Sequence, residues 1–233
     1  MINNKIQFAV VREDPHIEAE LITRFKLKRA VLIGSGGCTA FSLRAIFPKL
    51  DIKLIEPNPA QIKLIEKKIS IISKNELAEV RKLIGTGERN PLIESGNFES
   101  LFKLLRNTLF EFVIAEKAVV RFFEDNEKID WPAVFKNPYW TVAFDLFFSN
   151  SLLLAMFGPD AIQYAKKNSY PGYFRALLEA GLQRQDARNN YFLQHIFLGR
   201  YLSSDKHLPE YPLMDTQNQP TIDTSKPATG SSV

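Results

Sequence analysis

Three glycines and a carboxylate offer the clearest chemistry in this chain. Gly34, Gly36 and Gly37 form a turn, Ile33-Gly34-Ser35-Gly36-Gly37-Cys38, directly after the apolar run Val31-Leu32-Ile33. A helical pattern follows, and a second apolar run, Leu54-Ile55, ends on Glu56. Glycines let a backbone come close to a ligand, and the helix N-terminus behind them favours negative charge. An acid at the end of the second strand can accept both hydroxyls of a ribose. Strand, glycine turn, helix, strand and acid, in that order, are the parts of a nucleotide-binding βαβ half. Thr39 holds the position of the third, helix-packing glycine of the dinucleotide fingerprint, and Leu32 stands where methyltransferases often carry an acid.

Other residues could also do chemistry. Tyr191 and His195 are four apart, so a helix presents both on one face, where they could bind or deprotonate a hydroxyl. A hydrogen-bonded core pair explains the same spacing. Asn58, with Pro59 behind it and Gln61 three residues on, has the pattern of a capping box, although a cap beside an adenosine could also touch it. Cys38, at a helix start, could carry a reactive thiol, but a small packing residue is the simpler reading. It is the single cysteine, so the chain has no internal disulfide and no cysteine-based zinc site is expected. His16 and His207 have no metal-like companions, and no metal is expected.

These residues need elements to hold them. Residues 1–28 read as a leader whose helix begins near Asp14-Pro15 and runs from Ile17 to Phe25. Strands are expected at Ala30–Ile33 and Lys53–Ile55, with a helix at Cys38–Phe47 between them. In the helix after Pro59 the expected buried stripe is Ile62, Ile65, Ile69 and Ile72. Phe98–Phe110 reads as a helix with Leu101, Leu104, Leu105 and Leu109 inward, and a further strand is a candidate near 112–115. Phe144–Phe157, Asp160–Lys167, Tyr173–Ala180 and Asn189–Leu202 read as helices, and 216–233 has no strand pattern.

The expected division is a cofactor-binding half at 1–75, a helical acceptor-binding segment at 76–202, and an extended, disordered tail at 203–233. The fold class is α/β, a partial Rossmann-like, methyltransferase-type βαβ half with a large helical segment. Phe occurs 18 times, mostly between Phe98 and Phe197, as a thick core or an apolar cleft would require. Net charge is +4, and the basic residues are dispersed, which gives no nucleic-acid signature. The first residues lack a signal-peptide h-region, and Phe144–Phe157 is short for a bilayer span, so a cytoplasmic protein is expected.

Three separated motifs carry a family resemblance. The leader Gln7-Phe8-Ala9-Val10-Val11-Arg12-Glu13-Asp14-Pro15, the turn Ile33 to Ala40, and the block Glu56-Pro57-Asn58-Pro59-Ala60-Gln61 resemble the S-adenosylmethionine:diacylglycerol 3-amino-3-carboxypropyltransferase family of betaine-lipid synthesis. Phe157 to Ala161 and Asn190-Tyr191-Phe192-Leu193-Gln194-His195, on to Tyr201, are similar to it as well. The resemblance, to the broader group, implies S-adenosyl-L-methionine as cofactor, held by Arg12, Gly34, Ser35, Gly36, Gly37, Glu56 and Asn58. It implies transfer of a 3-amino-3-carboxypropyl group to a lipid or other hydroxyl acceptor, with Tyr191 and His195 as catalytic candidates. A lipid acceptor implies a protein peripheral to the inner membrane surface. An ordinary methyltransferase and an inactive nucleotide-binding remnant are the alternative readings.

Overall fold

The structure is a computed structural model. It describes residues 4–74, 79, 83, 91–163, 166–202 and 221–223. The chain is mixed α/β, mostly helical, with a small parallel sheet. It divides into two compact units, one of residues 1–96 with 208–233 and one of residues 97–207.

In the first unit, α1 (His16–Phe25) opens where Asp14 accepts the His16 N–H at 3.0 Å and closes at Lys26 in the left-handed region. The extended runs give β1 (Arg29–Ile33) and β2 (Asp51–Ile55), paired in parallel with Ile33 opposite Ile55. Between them lies α2 (Cys38–Ile46), and Arg44 in its last turn donates to the Pro48 carbonyl at 2.8 Å. A three-residue β3 (Thr221–Asp223) pairs with β2, so the order is β1-β2-β3. That strand corrects the expectation of none in 216–233; the rest of 203–233 lies outside the described residues.

The sheet is buried on one face only. Ile52 and Leu54 are enclosed, whereas Val31 and Ile33 are 62% and 81% exposed. The helix α3 (Pro59–Lys74) buries Gln61, Leu64, Ile65, Lys68, Ile71 and Ile72. The expected stripe is thus corrected: Ile62 and Ile69 lie at its margin, because the helix turns two polar side chains inward where they find partners.

The second unit is helical: α4 (Asn97–Phe112), α5 (Glu116–Glu124), α6 (Trp131–Phe135), α7 (Pro138–Phe147), α8 (Asn150–Phe157), α9 (Ser169–Leu182) and α10 (Tyr191–Leu198). The phenylalanines form its core: Phe102, Phe144, Phe148 and Phe197 are buried, and Phe148 stacks on Phe174 at 4.2 Å between ring centres. Leu101, Leu105 and Leu109 point inward as expected, but Leu104 is exposed. Residues 113–115 form a turn between helices, which corrects the candidate strand there.

The apolar run is divided by Ser149, whose hydroxyl oxygen caps α8 by accepting the Leu152 N–H at 3.3 Å. Counted from Pro138 to Phe157 it reaches 20 residues, with an 18-residue window of mean hydropathy 1.4, long and apolar enough to cross a membrane by length and composition alone, and 33% of that window is buried. The expected stretch, Phe144–Phe157, is itself parted between the end of α7 at Phe147 and the start of α8 at Asn150. The helix expected at Asp160–Lys167 is a single tight turn at Pro159–Ala161, with 164–165 outside the described residues.

Asn190 supplies the cap of α10, its side-chain oxygen accepting the Phe192 and Leu193 N–H groups at 2.9 and 3.2 Å. Gly199, with φ of 71°, ends that helix short of the expected Leu202. Asn190→Ala should lower unfolding stability by about 0.5–2 kcal/mol, with Asn190→Asp close to wild type, as read by urea denaturation. An alanine variant as stable as the parent would refute the cap.

Candidate functional site

The glycine turn is set by the end of β1. Gly34 N–H donates to the Ile55 carbonyl at 2.9 Å, which carries the β1–β2 ladder one residue past the strand, and Gly37 N–H closes back on Gly34 O at 2.8 Å. Ser35 and Gly37 both have positive φ, 45° and 80°. The chain then enters α2 with no side-chain cap.

The polar atoms of this turn are met by the chain itself. Glu56, only 8% exposed, accepts the Ser35 N–H on one carboxylate oxygen at 2.7 Å and the Asn58 N–H on the other at 2.9 Å. Gln61 donates to the Ser35 and Phe8 carbonyls and accepts the Gln7 N–H at 2.8 Å. Lys68, fully buried, donates to Ala9 O and to Gly36 O, the latter at 2.7 Å, and lies 3.5 Å from the Cys38 sulfur. The expected capping box is therefore corrected. Asn58 does cap α3, accepting the Ala60 N–H at 2.9 Å, but Glu56 rather than Gln61 takes the Asn58 N–H.

Close packing accounts for the three glycines. A Cβ on Gly34 would lie 2.7 Å from Glu56 Cβ, and one on Gly37 2.8 Å from the Phe41 ring. On Gly36 it would meet the leader backbone, 2.9 Å from Ala9 O and 3.0 Å from Val10 Cα. The missing side chains make room for the leader and for Glu56. The glycine cradle is filled by the protein's own atoms.

The candidate residues fall in both units. In the first, Ser35, Glu56 and Asn58 are joined through the Glu56 carboxylate, and Asn58 also donates to Lys5 O at 2.9 Å. Arg12 is half-buried in the leader, three residues beyond Ala9, and Glu13 is exposed. In the second unit, Tyr191 and His195 both rest on Tyr201, with ring centres at 5.9 and 5.6 Å. His195 is buried, and Arg106 donates to its carbonyl at 3.3 Å and to that of Ile196 at 3.0 Å. The imidazole in this arrangement belongs to a closed cluster.

Lys68 and Gln61 were not identified from sequence as turn residues. Their signal is positional: both lie on the face of α3 that carries Leu64, Ile65 and Ile72. The Asp14 carboxyl is held below its ordinary value, chiefly by the His16 N–H. Among the described residues no three His, Cys, Asp or Glu side chains gather as a metal site would need. A groove of about 700 Å³ between α1 and the end of α2 is lined by His16, Glu20, Thr23, Arg24 and Phe47. Its polar side chains are exposed and none belongs to the turn, so the geometry at Glu56 outweighs it as a candidate site.

No protein-family model, no curated protein and no solved structure matches the chain. The fold and the turn together define a small parallel α/β unit with a carboxylate at the end of its second strand, accompanied by a helical unit.

Gly36→Ala should destabilise the protein by about 1–3 kcal/mol, because the contact it creates is with backbone that cannot rotate away. Equilibrium unfolding in urea reads this directly. A variant of parental stability would refute the close approach of the leader.

Proposed function

We propose that the first unit is a Rossmann-like half that binds the adenosyl end of S-adenosyl-L-methionine through Glu56. The supporting observation is the bonding of that carboxylate. A carboxylate offers about four lone-pair sites. The Ser35 and Asn58 N–H groups take two, and the remaining two are the number a ribose diol can use, in charge-assisted hydrogen bonds. Ile33 and Ile55, partners across the ladder and 81% and 46% exposed, offer apolar surface at the same strand ends. Ligands of open parallel sheets bind outside the carboxyl ends of the strands.

When bound, the cofactor supplies a sulfonium whose 3-amino-3-carboxypropyl carbon accepts an acceptor oxygen, leaving 5′-methylthioadenosine. The chain's own contribution is to hold and to exclude. Glu56 and Ser35 orient the nucleoside, and the Asn58 cap keeps Glu56 at the start of α3. The acceptor's hydroxyl proton is released to solvent as the new carbon–oxygen bond forms and the carbon–sulfur bond breaks. The acceptor in this reading is a lipid or other hydroxyl compound met from the cytoplasmic side of a membrane. The resemblance of the leader, turn and Glu56 block supports that choice of reaction over methyl transfer.

A specific observation favours a second reading, a unit that keeps the fold and turns nothing over. Every glycine of the turn is accounted for by internal packing, and the buried Lys68 and Gln61 serve the fold without any ligand.

Calorimetry separates the two. Wild-type protein should bind S-adenosyl-L-methionine, and Glu56→Gln, which removes the charge and keeps the shape, should bind it more weakly by about 1–3 kcal/mol. No heat at millimolar ligand supports the inactive reading. With binding in hand, 5′-methylthioadenosine as product supports the proposed transfer, and S-adenosylhomocysteine supports methylation.

A further inference from the structure

The hydrogen-bond phase of β1 leaves its outer edge open. Asp51 N–H donates to the Lys28 carbonyl at 3.0 Å, and Gly34 N–H donates to Ile55 O at 2.9 Å. With Ala30 opposite Ile52 and Leu32 opposite Leu54, the parallel ladder turns the even-numbered residues of β1 toward β2. Arg29, Val31 and Ile33 aim their N–H and carbonyl groups the other way. β1 is the outer strand of the order β1-β2-β3, so among the described residues no strand takes those groups up. The side chains there are open as well: Val31 and Ile33 are 62% and 81% exposed. The register runs without a bulge, β1 contains no proline, and its one charge, Arg29, is tied to Asp51 at 3.1 Å. A row of unpaired backbone groups with exposed β-branched side chains is a template for a further strand.

The strand's own sequence meets the demands of that edge. Its charge lies at one end, Lys28 and Arg29, and its other end, Val31-Leu32-Ile33, is apolar. An antiparallel copy related by a two-fold axis at Val31 sets each Arg29 opposite the partner's Ile33, and Val31 opposite the partner's Val31. All three outward residues then fall in hydrogen-bonded pairs that exchange N–H and carbonyl, and none is left over. An axis moved to Ala30 leaves Ile33 opposite Leu27, outside the strand. Moved to Leu32, it leaves Arg29 opposite Ser35, whose φ of 45° takes it out of extended backbone. An in-register parallel copy would set Arg29 beside Arg29, a like-charge pair that costs stability. In the antiparallel register the valines form a β-branched cross-strand pair, and the Arg29 stem lies along the partner's Ile33. We propose that two copies of this chain associate through β1, antiparallel about Val31, in an isologous contact that joins their sheets edge to edge.

Sedimentation velocity of the full chain over rising concentration reads the association, and amide hydrogen exchange followed by NMR places it. The expected result is a reversible monomer–dimer equilibrium in which exchange at the Val31 and Ile33 amides slows as the dimer forms. The Ala30 and Leu32 amides, held by β2, stay protected in both states. Val31→Lys sets two ammonium groups opposite each other at the axis and should weaken the dimer at least about tenfold, or about 1.4 kcal/mol. Val31→Glu alone should do the same. An equimolar mixture of the two variants should associate again, because residue 31 meets its own copy only at this axis. The Val31 side chain faces solvent, so circular dichroism and melting temperature should stay at the parental values. A wild-type protein that stays monomeric throughout overturns the proposal. So does a dimer whose Val31 and Ile33 amides exchange as fast as in the monomer, or a mixture of variants that stays apart. Protection of those two amides where the protein is monomeric would assign the edge to another part of this chain and overturn it equally. None of these results depends on cofactor binding by the first unit.

Discussion

The buried ammonium of Lys68 ties three parts of the chain to one point. It sits at the end of a long side chain from α3 and donates to carbonyls in the leader and in the glycine turn, with no carboxylate among its partners here. A buried charge is tolerated where its donors are satisfied by hydrogen bonds, and removing them would leave carbonyls without water or partner. The leader can reach the turn only because Gly36 has no side chain. The glycine and the lysine are thus two halves of one constraint. Gln61, two turns earlier on α3, repeats the arrangement with Phe8 and Ser35. Helix α3 acts as a clamp whose inner face carries four apolar side chains and two polar ones.

That constraint shapes what the site can offer. The turn's carbonyls are spent on Gln61 and Lys68, and two of its glycines on packing against Glu56 and the leader. What remains available is the Glu56 carboxylate, with unused lone pairs, and the apolar strand ends beside it. Fully parallel sheets are ordinarily covered on both faces. Here Val31 and Ile33 stay exposed, so the carboxyl ends of the strands border open surface rather than a closed cleft. Under the proposed reading a nucleoside is gripped at its ribose rather than enveloped by a phosphate-type cradle.

Much of this was legible in the sequence, for identifiable reasons. The apolar runs at 31–33 and 54–55, broken by glycine on one side and proline on the other, specify the strands and the helix between them. Asn58-Pro59 specifies the start of α3. The rotation of α3 was not legible, because a hydrophobic count ignores polar side chains, and Lys68 finds its acceptor 59 residues away in sequence. The three residues of β3 are too few for any alternation to register. The division of the apolar run at Ser149 depends on a hydroxyl that serves equally well as a surface residue or a cap. The Tyr191–His195 spacing put both rings on one side as anticipated, but only the fold supplies Tyr201 as their common neighbour.

The most direct test of the account follows the backbone amides of Ser35 and Asn58 by NMR while S-adenosyl-L-methionine is titrated in. Both donate to Glu56, so a diol taking up the free lone pairs must alter both. The account predicts that the two signals shift together and saturate at one ligand concentration. Signals that hold still while the ligand demonstrably binds elsewhere on the chain would contradict it.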